Sequence, residues 1–207
     1  MAPTPHHFGI LATTLMWMAM MTVMMLPAVL PWLWGFAALS RDGKSGTLRP
    51  AWVVLFALGY VVVWTGFSVG AASLQLGIRS LGLLEASIGG AAQAGGVLLI
   101  GAGLYQVTPA KAACLEHCRT PLSYFLTHWR NGPSGAFKMG LSHGAFCVGC
   151  CWAFMLSGFA LGVMSLVWMA ALTAIISIET LAPHGHRIGR LAGAGMVLWG
   201  LTLITGF

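Results

Sequence analysis

Six long apolar runs dominate this sequence and leave few folds open to it. They lie near Phe8–Leu30, Ala51–Leu74, Leu83–Tyr105, Ala136–Phe159, Gly162–Leu181 and Ile188–Thr205. A helix of about 20 apolar residues covers the roughly 30 Å of hydrocarbon in a bilayer. The runs therefore predict an all-α, polytopic transmembrane bundle of about six helices. Composition agrees, because 58% of the 207 residues are hydrophobic and only 7% are charged. A soluble domain carries about 25% charged residues, and one this small keeps much of its surface in water. The formal charge of +6 does not point to nucleic acid, since basic nucleic-acid binders are rich in charge and this chain is not. The lipid bilayer is the predicted surrounding.

The connecting segments hold the Pro, Gly, Arg and Lys residues of loops: SRDGKSGTLRP, GIRS, the long PAKAACLEHCRTPLSYFLTHWRNGPSG, and APHGHR. The junction near SGFALG has no charge and predicts a tight hairpin. With six spans, the first, third and fifth connections share one side. They carry Arg41, Lys44, Arg49, Lys111, Arg119, Arg130, Lys138, Arg187 and Arg190, against Arg79 alone on the other. Cations collect on the cytoplasmic side, so both termini are expected outside the cytoplasm. The start MAPTPHH lacks a basic n-region and no small-residue cleavage site follows, so the first helix is expected to be retained. Without repeats or low-complexity segments, residues 1–207 read as a single integral membrane domain. The glycines of GGAAQAGG and GFALG read as bundle seams, where small residues let backbones approach in lipid.

The segment GLSHGAFCVGCCWAFML carries the most chemistry. His143, Cys147, Cys151 and Met155 follow at steps of four, with Cys150 three residues after Cys147. On a helix these side chains share one stripe. Thiolate, imidazole and thioether are the ligands that select Cu(I), zinc or iron–sulfur centres, and the Cys147-x-x-Cys150 spacing lets two sulfurs reach one ion. A lone buried cysteine is only a small hydrophobe; three within five residues, beside a histidine in a membrane helix, point to function. One helix seldom completes a site, so partners are sought elsewhere. Cys114, His117 and Cys118 in the third connection are candidates, with the two thiols one turn apart if the segment is helical. There the cytoplasm keeps thiols reduced, and Lys111 and Arg119 favour the thiolate. In the first run Met16, Met20 and Met24 form one row and Met21 and Met25 another. Thioethers bind soft ions but also fill cores. Pro27 and Pro31 are expected to kink or end that helix.

Two carboxylates lie in apolar surroundings. Glu179 needs a partner, with Arg187, Arg190 or His143 as candidates, and reads as a salt-bridge clamp or a group supporting the metal ligands. Glu85 opens the third run, where the helix dipole favours it. His6, His7, His128, His184 and His186 read as solvated terminal or loop residues.

At these residues the chain resembles a bacterial domain-of-unknown-function family described as predicted metal-binding integral membrane proteins. The matching stretches are MWMAMMTVMMLP, GLYQVTPAKAACLEHCRTP, and CVGCCWAFMLSGFALGVMSLVWMAAL followed by Glu179. The family usually has Lys after that glutamate, where this chain has Thr180. The resemblance implies metal binding in a bacterial cytoplasmic (inner) membrane.

The leading expectation is a copper-handling protein, a carrier, chaperone or insertion factor. Five cysteines and a methionine-rich first run favour Cu(I) over zinc. The expected ligands are Cys147, Cys150, Cys151, His143, Cys114, Cys118, His117, Met20 and Met24. A membrane thiol–disulfide oxidoreductase using Cys147 and Cys150 is a second reading. A structural or assembly subunit of a larger membrane-protein complex is a third, its cysteines serving packing.

Overall fold

The computed structural model describes residues 9–41, 49–80, 88–161 and 165–206. Among them are eight α-helices and no strand: α1 Ile10–Leu39, α2 Pro50–Ser80, α3 Ile88–Tyr105, α4 Pro109–Arg119, α5 Pro121–His128, α6 Gly132–Leu161, α7 Leu166–Leu181 and α8 Gly185–Thr205. The six apolar runs correspond to α1, α2, α3, α6, α7 and α8. Four of these, α1, α2, α6 and α8, are long and apolar enough to cross a membrane. The bent pair α3–α4 makes a fifth if it counts as one span. At 16 residues α7 is shorter, spanning about 24 Å at the helical rise. This is the helix content of a multi-pass membrane protein. Where a tight hairpin is expected at SGFALG, α6 instead continues through Ser157–Leu161; Gly162, with His6, His7 and Glu85, lies outside the described residues.

The bundle presents apolar side chains outward as well as inward. Leu11, Val23, Trp34, Leu166, Val167 and Leu191 are exposed, which is tolerable only in lipid. Some buried polar groups find partners across helices, as where Trp17 Nε1 donates to Gln75 Oε1 at 2.7 Å.

Sequence reading ended the first helix near Leu30 because of its prolines, but α1 continues to Leu39 with Pro27 and Pro31 inside it. The prolines remove two backbone donors. The turns beyond them are still apolar, and they bury Trp32 and Phe36 in a second aromatic core with Phe56 and Phe125. Neighbouring helices commonly make such prolines tolerable in membranes.

The larger correction concerns the third connection. It was read as a loop, yet it folds into α4 and α5, each opening on a proline at its first turn. Proline suits that position because its missing N–H would have had no partner there. Thr108 caps α4, its Oγ1 accepting from Lys111 N at 3.3 Å. The chain bends by 64° between α3 and α4. Lys111, Leu115 and Cys118, at steps of four and three, form the buried face of α4.

Glycines set the helix seams. A Cβ on Gly140 would collide with the backbone of Phe56, and one on Gly59 with the backbone of Phe137 and Leu141, so α2 and α6 run in backbone contact. Gly96 faces Gly200, and Gly103 faces Gly193, between α3 and α8. Gly96 belongs to the GGAAQAGG segment read as a seam. Gly158, from the other segment, differs: a Cβ there meets nothing within 4 Å. Overpacking typically costs about 1–3 kcal/mol. Gly140→Ala should lower the thermal unfolding midpoint in detergent, whereas Gly66→Ala, facing open space, should not. An unchanged Gly140→Ala protein would contradict the α2–α6 seam.

Candidate metal centre

The helical stripe on α6 faces the interior along its length. His143, Cys147, Cys150, Cys151 and Met155 are all buried, none more than 2% exposed. The turn spacing alone accounts for this: residues at steps of three and four share a face, and this face is the one turned away from lipid.

α4 supplies what one helix cannot. Its bend carries Cys118 under the bundle until its Sγ lies 3.7 Å from Cys150 Sγ. The sulfurs of Cys118, Cys147 and Cys150 then all lie within 4.8 Å of one another. Cys151 Sγ is 3.2 Å from Cys150 Sγ, at the edge of this trio. All five cysteines are free thiols. Three soft donors from two helices, held in a dry interior, form a cradle for one soft cation.

The surrounding groups fix the trio in place. Trp32 Nε1, on α1, donates to the carbonyl of Cys118 at 2.9 Å. Tyr60 Oη, on α2, lies 3.4 Å from Cys147 Sγ. Tyr105 Oη, at the end of α3, donates to the carbonyl of Gly149 at 2.5 Å. Helices α1, α2 and α3 thus each contribute one aromatic hydrogen-bonding side chain to the thiol-bearing helices. Trp32, Tyr60 and Tyr105 were not singled out from sequence, because nothing in their spacing links them to the cysteines.

The other expected ligands are distributed around the trio. Cys114 is half-buried, one turn before Cys118, with its sulfur against Gly149. A Cβ on Gly149 would fall 2.8 Å from that sulfur, so the glycine makes room for it. His143 stacks on Trp32 with ring centroids 3.8 Å apart, and His117 stacks on Phe146 at 3.9 Å. Neither imidazole joins the trio. Both nitrogens of His143, and Nε2 of His117, are buried without a hydrogen-bond partner among the described residues. Met20 and Met24 line a separate small cavity with Met155.

Glu179 has a different partner from those expected. Its Oε1 lies 2.6 Å from Lys111 Nζ, with both side chains buried. Lys111 Nζ also donates to Gln106 Oε1 and sits 4.4 Å over the Phe154 ring. Arg119 donates to the carbonyls of Glu179, Ala182 and Pro183 at 2.5, 2.6 and 2.9 Å. The two cations expected to favour a thiolate are thus engaged in fastening α4 to the end of α7. Arg187, Arg190 and His143 are displaced because α4, once helical, brings Lys111 to the carboxylate first. Glycine at position 189 admits this arrangement, since a Cβ there would collide with the Glu179 carboxylate.

Compared with known proteins, residues 14–203 match the model of the PpoB2 family, described as a copper chaperone. Neither the curated proteins nor the solved structures provide a match.

Removing one partner of a buried ion pair leaves an uncompensated charge and typically costs about 3–5 kcal/mol. Lys111→Met and Glu179→Leu should each destabilise the protein strongly in detergent unfolding, and the double variant should recover a large part of the loss. Additive losses would show that the pair is not coupled.

Proposed function

The chain belongs to the PpoB2 copper chaperone family, and from that premise we propose that it carries Cu(I) on the buried trio Cys118, Cys147 and Cys150. One observation carries this reading: three free thiols from two separate helices lie within 4.8 Å of one another inside a multi-pass membrane bundle. Soft thiolates favour Cu(I) among the available ions. A structural zinc site takes four ligands in a tetrahedron, whereas among the described residues only three sulfurs lie mutually within 4.8 Å. Copper is cargo here, and Cys151, Cys114, His117 and His143 supply neighbouring soft donors through which it can be exchanged.

A chaperone must both hold and surrender its ion. The trio straddles α4 and α6, so any displacement of α4 separates Cys118 from the other two thiols. The Lys111–Glu179 pair and the Arg119 hydrogen bonds oppose that displacement. In this reading the recipient is a membrane-protein partner. The positive-inside asymmetry supports a reading with α4 on the cytoplasmic side and both termini outside, in what we take to be a bacterial inner membrane. It survives the removal of buried Lys111 from the count, since eight of the remaining nine cations still lie on that side. Together α1, α2, α3, α6, α7 and α8 make one six-span domain. A dithiol exchanging with protein thiols must be reached by its partner, and Cys147, Cys150 and Cys151 are at most 2% exposed. Burial therefore favours ion carriage over thiol–disulfide exchange.

Anaerobically purified protein should bind Cu(I) in competition with a chromogenic Cu(I) chelator, and an excess of zinc should not displace it. Loss of even a supporting residue costs a metal site about 10–100-fold in affinity. The Cys147→Ser/Cys150→Ser protein should therefore lose on the order of 100-fold or more. Equal affinity in the two proteins would refute the thiol site.

A further inference from the structure

Beyond the thiols, five methionines from three helices converge on one cavity. Met20, Met21 and Met24 of α1, Met155 of α6 and Met169 of α7 line it. These are five of the 12 methionines in the chain. Trp17 and Trp168 complete most of its wall, and Gly158 leaves one side open, since a Cβ there meets nothing within 4 Å.

The size and lining of this space decide what fits. Its volume is about 20 Å³, and a void of about 10–15 Å³ is enough for one water-sized body. Water is a poor occupant, because a buried water needs about two to four polar partners and, among the described residues, no hydroxyl, amide or charged side chain lines the cavity. Methionine has three rotatable bonds and ordinarily collapses into gaps of this kind, yet here five of them surround one. A thioether-lined void suits a soft monovalent cation. The larger cavity between α1 and α2, at about 160 Å³, is too wide to grip a single ion.

We propose that this cavity is a second Cu(I) site, built from thioethers alone. The proposal rests on the reading of the thiol trio as the first site. Met155 follows Cys151 by one turn on the inward stripe of α6, about 6 Å along the axis at the helical rise. The second site is thus the next station along that stripe. Thioethers carry no proton and no charge, so the ion binds there as Cu(I) without proton release or change of oxidation state. It is held more weakly than by thiolates, which suits a station from which cargo leaves.

The test uses full-length protein labelled with selenomethionine, loaded anaerobically with two equivalents of Cu(I), and read by X-ray absorption at the copper and selenium edges. Copper–selenium scattering and two bound Cu(I) per chain are expected. The Met20→Leu/Met24→Leu/Met155→Leu/Met169→Leu protein should lose the selenium signal and one Cu(I), keeping copper–sulfur scattering from the trio. Wild-type protein without copper–selenium scattering overturns the second site, and so does an undiminished signal in the leucine variant. Cys147→Ser/Cys150→Ser separates the two readings. Persistence of copper–selenium scattering in that protein supports the thioether site on its own. Bound copper in the wild type that is entirely sulfur-coordinated defeats the thioether site and leaves the trio standing.

Discussion

An ammonium and a carboxylate inside a lipid-embedded bundle are each expensive alone, and the position of α4 follows from their meeting. Lys111 lies one turn before Leu115 and two before Cys118 on the same buried face. Bringing the lysine to Glu179 therefore also brings the thiol to Cys150. Arg119 secures the far end of the helix to the last carbonyls of α7. The buried pair need not add net stability, since desolvation offsets much of the attraction. What it supplies is a fixed register for α4, and that register assembles the trio.

The same arrangement explains how a small chain builds a soft-metal site in a membrane. The backbone of each helix satisfies itself, leaving side chains to set position. Glycine seams bring α2 to α6 and α3 to α8 at backbone contact, and this leaves α6 central. Trp32 links α1 to α4 and stacks on His143. Each neighbour of the thiols thus has a structural duty of its own, and the candidate copper ligands stand on helices rather than loops. The weak point of the assembly is α4, which is short and joined to α3 by a sharp bend. Ligand exchange at Cys118 through movement of α4 is the account of release that this geometry favours.

The apolar runs and the α6 stripe were legible because each is a periodic signal within one element. Continuous hydrophobicity marked the six long helices, and steps of three and four put His143, Cys147, Cys150, Cys151 and Met155 on one face. Cys118 was legible as a candidate ligand one turn after Cys114, but its place beside Cys150 was not. Its entry into the trio depends on the folding of a charged segment that reads as a loop, driven by the partner that Lys111 finds in α7. That is a contact across 68 residues, and no local pattern encodes it. The prolines of α1 misled for a related reason, since their cost is local while the packing of Trp32 and Phe36 is not. For His143 and His117, spacing suggested ligation, but their rings stack on aromatic neighbours outside the trio.

In the proposed site one Cu(I) is shared between α4 and α6 through Cys118. Copper-edge X-ray absorption on anaerobic protein carrying one Cu(I) measures this most directly, comparing the wild type with Cys118→Ser and Cys114→Ser. The account predicts three sulfur ligands in the wild type and in Cys114→Ser, and fewer in Cys118→Ser. An unchanged sulfur shell in Cys118→Ser, or an equal loss in Cys114→Ser, would contradict it.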